Sequence, residues 1–294
     1  MAAPRFWPGW AGIAIGYAVA QAPLGFGRGL GRMLGWLLYG LAPKRRRITA
    51  VNVALCFPDR SPAWQRNLVR RHFIDAGIGV METAAAWWAP ERRLSHRYQI
   101  DGLEHLQQAL ADGRGALLLS AHFTSLEMCA RCLSLETPFA AMYRPSERPL
   151  VNWLFRTWRS RHAVAAIPRD DVKGLIRQLR ANVPVWYAPD QAASGDQAVV
   201  VPFFGVPAAT HNATHRLARI SRAPVLPFFG YRGEDNRYYL TIHAPLSDFP
   251  THDVAADTER VNLAIEDAIR LAPGQYFWSH RRFKNRPGLA NPYP

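Results

Sequence analysis

The chain has 294 residues, 49% of them hydrophobic and 20% charged, with 36 Lys and Arg against 22 Asp and Glu for a formal charge of +14. This composition excludes a disordered or collagen-like chain, because enough apolar residues are present to build a core. Three cysteines, an odd number, exclude a disulfide scaffold.

The excess of base calls for an acidic partner: nucleic acid, an anionic membrane, an acidic protein or a phosphorylated substrate. The N-terminus bears on that choice first. From Phe6 to Gly27 the one strongly polar residue is Gln21. Crossing a bilayer takes about 20 apolar residues, so this stretch is just long enough to be a membrane helix. Trp7, Trp10 and Tyr17 would sit at an interface. A buried core helix is the competing reading. The run Met33 to Ala42 is too short to cross and reads as an interfacial helix. Lys44-Arg45-Arg46-Arg47 follows, with only Arg5 on the other flank, which places the cytoplasm after the apolar run. A cleaved signal peptide is disfavoured by the single n-region charge and the lack of a small-residue exit site. Residues 1–43 are thus read as membrane anchor and interfacial helix, and 44–294 as one folded domain.

Beyond that point helices and strands alternate. Ser61 to Trp88 is helix-compatible, with Ser61-Pro62 as N-cap and first turn. Tyr98 to Asp101 reads as strand and Leu103 to Asp112 as helix. Ala116 to Ser120 (ALLLS) is a buried-strand pattern. Thr124 to Leu135 reads as helix, Phe139 to Tyr143 as strand and Pro149 to Arg161 as helix. Val164 to Ile167 is strand-like, Asp170 to Asn182 helical and Val185 to Ala188 strand-like. Ala198 to Phe204 and Val225 to Tyr231 are strands with a helix, Thr210 to Arg222, between them. Tyr238 to His243 alternates like an exposed edge strand, and Asp257 to Leu271 is the last long helix. This alternation implies an α/β fold, a sheet with helices on its faces.

The chemistry gathers after ALLLS. His122 stands at a strand-to-helix turn, and ligands of open α/β sheets collect at the carboxyl ends of strands. Imidazole is suited to taking a proton near neutral pH. Glu127, five residues on, is a candidate partner. Positions i and i+5 lie about 140° apart on an ideal helix. The pair therefore meets only if His122 lies in the turn and Glu127 in the first turns of the helix. Amides at that helix start, near Phe123–Ser125, are candidates for holding an oxyanion. His-x4-Glu alone is a weak pattern, since a lone His after a strand is usually structural.

Other chemistries are disfavoured. No Ser stands in a G-x-S-x-G frame. Cys129-Ala130-Arg131-Cys132 lacks the two further ligands a zinc site needs, and reads as packed helical cysteines. No phosphate-binding Gly loop follows a strand, so no nucleotide cofactor is expected. Arg144, Arg159 and Arg161 lie among aromatics and suit a phosphorylated substrate, with a solvated basic face as the alternative. Asp190 follows another strand and is expected on the same rim as His122, unless it merely caps a turn.

SAHFTSLEMCAR, YRPSERPLVNWLFRTWRSR, VPVWYAPDQ, VPFFGVPAAT and QYFWSHRRFKNRP, taken together, resemble the late acyltransferases of lipid A biosynthesis, most nearly their lauroyl-transferring type. The likeness runs from about Lys44 to the C-terminus. It implies a mixed central sheet with flanking helices of the glycerol-phosphate acyltransferase kind, preceded by a membrane helix. It implies a bacterial inner-membrane enzyme with its catalytic domain on the cytoplasmic side. The donor would be a lauroyl chain on acyl carrier protein, and the acceptor a hydroxyl of Kdo2-lipid IVA, with anionic membrane lipids as neighbours. No metal or organic cofactor and no nucleic acid is implied. His122 would be the general base and Glu127 its partner. Arg144, Arg159 and Arg161 would bind acceptor phosphates or carboxylates, and Asp190 would be a site residue without an assigned role. Two alternatives stay open: an acyltransferase of the same superfamily acting on another membrane lipid, and a non-catalytic basic protein binding membrane or nucleic acid.

Overall fold

A computed structural model describes residues 3–286 and 288–293. Four helices come first: α1 (Trp7–Gln21), α2 (Leu24–Leu41), α3 (Pro43–Cys56) and α4 (Pro62–Trp88). The Ser61 hydroxyl caps α4 by accepting from the Trp64 amide at 3.2 Å. Then come β1 (Tyr98–Asp101), α5 (Leu103–Ala111), β2 (Leu117–Leu119), α6 (Leu126–Glu136), β3 (Ala140–Tyr143), α7 (Pro149–His162), β4 (Ala165–Pro168), α8 (Val172–Arg180) and β5 (Val185–Tyr187). The chain closes with β6 (Ala198–Phe203), β7 (Val206–His211), α9 (Ala213–Ser221), β8 (Val225–Arg232), β9 (Tyr238–Ile242) and α10 (Val254–Leu271).

Seven strands form one sheet in the order β1-β9-β8-β2-β5-β3-β4. From β8 to β4 all neighbours are parallel, whereas β9 runs antiparallel to β8, so the sheet is mixed as expected. The central strands alternate between two cores. Leu117, Leu119, Val185 and Tyr187 face a layer that includes α8, α9 and α10. Leu118, Trp186 and Leu226 face the end of α4 together with α5, α6 and α7. Both faces are covered, which is why ALLLS and VPVWY are unbroken apolar runs.

Three expectations need correction. The apolar stretch Phe6 to Gly27 is not one membrane helix. It breaks at Ala22-Pro23, because Pro has no amide to continue the ladder. The α1 helix has 15 residues, about 22 Å at the helical rise, against roughly 30 Å of hydrocarbon. No helix among the described residues is long and apolar enough to cross a membrane. Instead α2 lies directly on α4. A Cβ added to Gly31 would stand 2.6 Å from the Ile78 Cα, and one on Gly77 would strike the Gly31 carbonyl, so only glycines allow this approach. Secondly, VPFFGVPAAT is a hairpin. Phe204 and Gly205 both have positive φ, at 52° and 73°, as a two-residue I′ turn requires, and β7 takes the start of the expected helix. Thirdly, Tyr238 to His243 is not an edge, because β1 pairs alongside β9.

Buried charges tie the N-terminal helices to the sheet. Arg28 donates to the Asn236 carbonyl (2.7 Å) and the Tyr238 hydroxyl (3.2 Å). Tyr238 in turn donates to Glu82 at 2.7 Å. Arg232 on β8 binds Glu82 (2.9 Å) and Asp75. All are buried, and each charge has an opposite partner.

Candidate active site

In the parallel pair β2–β5, Leu119 stands opposite Tyr187. His122 and Asp190 each lie three residues beyond those partners. Two neighbouring parallel strands thus deliver the two residues to one spot at their carboxyl ends. The His122 Nδ1 lies 2.6 Å from the Asp190 Oδ1, and the His122 backbone amide donates to Oδ2 at 3.1 Å. Asp190 is 3% exposed and also accepts from the Tyr276 hydroxyl. A carboxylate can only accept, so Nδ1 carries the proton and Nε2 keeps its lone pair. The imidazole side chain is 38% exposed and leaves Nε2 available to a ligand.

Burial opposes the charged imidazolium, but the Asp190 charge and hydrogen bond outweigh it, so the His122 pKa is raised. The Arg159 guanidinium works the other way. Burial of Asp190 likewise opposes its charge, and His122 overcomes this to hold the carboxyl below its usual range.

Glu127 sits in the first turn of α6, as expected, yet its carboxylate bonds elsewhere. Arg159 Nε donates to Oε1 at 3.0 Å, a second Arg159 nitrogen joins the same oxygen, and Trp87 Nε1 donates to Oε2 at 3.0 Å. The i+5 offset turns Glu127 toward α4 and α7, and Asp190 takes the place foreseen for it beside His122. Arg159 is accordingly neutralised by Glu127 rather than free for a phosphate. Arg144 is exposed just past β3. Arg161 is exposed on α7 with its guanidinium 5.0 Å from the Trp158 ring centre. The structure brings His122, Asp190, Glu127 and Arg159 into one neighbourhood and leaves Arg144 and Arg161 on the surface.

The expected oxyanion amides are partly engaged. Phe123 N–H donates to the Ala121 carbonyl at 3.0 Å and Thr124 N–H to the Gln275 carbonyl at 2.7 Å, which leaves Ser125 from that group. Beside the Glu127–Arg159 pair lies a small, partly open pocket, lined by Trp87, Ala130, Phe139 and Trp158 and also by Arg131 and His162. Sequence reasoning missed Trp87 and Tyr276. Tyr276 lies in the QYFWSHRRFKNRP block, but only the fold brings that block beside SAHF, through the Phe123–Tyr276 bridge. Among the described residues no cluster of His, Cys, Asp or Glu is arranged to hold a metal.

A family model for bacterial lipid A biosynthesis acyltransferases matches residues 1–285. The chain belongs to this family. The lipid A biosynthesis lauroyltransferase of Escherichia coli K12 is 39% identical over 97% of this chain and 94% of its own. The palmitoleoyltransferase of the same organism is 34% identical over 97% and 93%. Its myristoyltransferase is 28% identical over 99% and 91%. The protein is an acyltransferase of lipid A biosynthesis, and the His122 rim is the candidate seat of its chemistry.

Proposed function

We propose that the acyltransferase moves a lauroyl chain from the thioester of acyl carrier protein to a hydroxyl of Kdo2-lipid IVA, with His122 as general base. The observation that carries this is the His122–Asp190 pair, which fixes the proton on Nδ1 and leaves Nε2 for the acceptor hydroxyl. Nε2 takes the hydroxyl proton as the oxygen attacks the thioester carbonyl. The carbonyl electrons move to oxygen, and collapse of that intermediate expels the thiolate. Asp190 stabilises the imidazolium during that step. A positioned base of this kind contributes roughly 10²–10⁴-fold.

The Glu127–Arg159 pair fits the mouth of the acyl site better than a link to the base. The adjoining pocket is small in this structure, and its Trp87, Phe139 and Trp158 side chains give an apolar wall against which an entering acyl chain would pack. Arg144 and Arg161 are exposed and suit acceptor phosphates.

The N-terminal segment, 1–43, serves as a membrane-docking unit for the acyltransferase domain, 44–294. Trp7, Ile15, Met33 and Leu41 are 64%, 65%, 69% and 73% exposed on α1 and α2. Such apolar exposure marks an interaction surface, and Lys44 and Arg47 beside it suit anionic headgroups. We assign the protein to the cytoplasmic face of the bacterial inner membrane, lying on the bilayer rather than crossing it.

The test is a transfer assay with purified full-length protein, Kdo2-lipid IVA and acyl carrier proteins loaded with chains of different length, read by product mass. Addition of a lauroyl mass, lost in His122→Ala, is expected. Ala141→Leu, which narrows that pocket, shifts the preference to a shorter chain. Transfer to a lysophospholipid with none to lipid IVA would overturn the acceptor assignment.

A further inference from the structure

The segment that follows α10 is woven into the catalytic rim. Phe123 and Tyr276 form a single antiparallel bridge. Phe277 N–H donates to the His122 carbonyl at 2.9 Å. Four residues past Tyr276, the His280 Nε2 accepts the backbone N–H of Ala192 at 3.0 Å. Ala192 is two residues beyond Asp190, in the turn that presents that carboxylate. The Asn285 side chain holds the next residue of the turn, donating to the Ala193 carbonyl at 3.2 Å.

His280 is itself held from behind. The Asn52 side-chain amide on α3 donates to the Trp278 carbonyl at 2.6 Å and to the His280 carbonyl at 2.7 Å. Asn52 is 1% exposed, so these bonds form away from water. A chain of hydrogen bonds therefore runs from Asn52 through His280 to the Ala192 amide, one step from Asp190.

The bond to Ala192 fixes the state of the second imidazole. An acceptor nitrogen carries no proton, so His280 is neutral with its proton on Nδ1. Its surroundings agree: burial, with Lys284, Arg282 and His122 nearby, outweighs Asp190 and lowers the pKa to about 4. At neutral pH its Nε2 is occupied by the Ala192 amide, which removes it as a proton carrier for the substrate.

We infer that His280 is a positioning residue for acyl transfer, which sets the aim of the Asp190 carboxylate at His122 by accepting the Ala192 amide. This rests on His122 being the base. The turn is also tied by the Ala193 N–H to the Ala209 carbonyl at 3.1 Å and by an antiparallel bridge of Ala192 with Thr210. Loss of the His280 acceptor therefore loosens it rather than freeing it, weakens the Nδ1–Asp190 bond and lowers the catalytic rate, while the groups that bind the lipid acceptor are untouched.

The test compares His280→Ala and His280→Gln in full-length protein, with His122→Ala alongside. Glutamine offers an Oε1 acceptor to the same amide, and alanine offers none. Mispositioning of a catalytic group costs up to about 100-fold, so His280→Ala should lose roughly 10- to 100-fold in kcat. The acceptor KM should stay within about twofold, because no ground-state contact is removed. The acid limb of its pH–rate profile should move to lower pH, since His122 then feels less of Asp190 against the unchanged Arg159. His280→Gln should recover most of the rate and the parent limb. If His280→Ala does not fold, His280→Leu fills the same space without an acceptor and takes its place. A rate within about twofold of the parent, or equal loss in both variants with the limb unmoved, would overturn the proposal. An active His122→Ala would overturn the base assignment beneath it, a separate readout from the His280 pair.

Discussion

His122 owes its chemistry to one hydrogen bond. Its pKa is raised, so the imidazolium binds its proton more tightly in the folded chain than in the unfolded one. That group favours folding at pH below the ordinary imidazole value, and the contribution fades as pH rises through the raised value. Catalysis has the opposite sign, because the base must be neutral and the rate climbs as pH passes that same value. Asp190→Asn removes the charge that lifts the pKa. Its acid limb should fall to lower pH and its rate should drop by roughly 10²–10⁴-fold. A pH–rate profile of the variant checks both, and an unmoved limb would contradict the pairing. His122 was legible in the sequence because it follows a buried strand directly. Asp190 was placed on the same rim, but its pairing with His122 was not legible. His-x4-Glu is visible as spacing, whereas Asp190 is 68 residues away and comes into reach only through the register of β2 on β5.

At the scale of elements, the contact of α2 with α4 is the one most dependent on residue size. Gly31 and Gly35 lie one turn apart and face the backbone of α4, where Gly77 returns the approach. Gly77→Leu would drive a side chain into the Gly31 backbone. Overpacking of this kind costs about 1–3 kcal/mol, and a lower denaturant midpoint at unchanged slope would show it. The helices and central strands were legible because burial imposes its period on them. The hairpin β6–β7 was half hidden, since Val206 to Thr210 carries Pro207 and two alanines and lacks the β-branched run of a typical strand. The N-terminal break was hidden for another reason. Hydropathy averages over Ala22-Pro23, while the backbone does not.

Over the whole molecule, the +14 charge is unevenly used. Arg28, Arg232 and Arg282 are buried, and Arg28 and Arg232 serve the interior ion cluster. Lys44 and Arg47 remain exposed beside the apolar faces of α1 and α2. Replacing both with Ala should weaken binding to vesicles containing phosphatidylglycerol by about 2 kcal/mol, at roughly 1 kcal/mol per base. Sedimentation with anionic and with neutral vesicles reads this directly. Equal loss on both would show that charge is not the cause. An excess of base was plain from composition, but its division between interior and surface depends on tertiary contacts that composition does not contain.

The shared offset of His122 and Asp190 beyond Leu119 and Tyr187 also ties activity to folding order. A parallel pair cannot close through a tight turn, and here α6, β3, α7, β4 and α8 all intervene between its strands. Contacts so distant along the chain form late, after their loop-closure entropy has been met. No fragment short of that crossover can assemble the pair. On refolding, recovery of turnover should therefore lag behind recovery of helical signal, which makes the enzyme's own reaction a clock for closure of its central sheet.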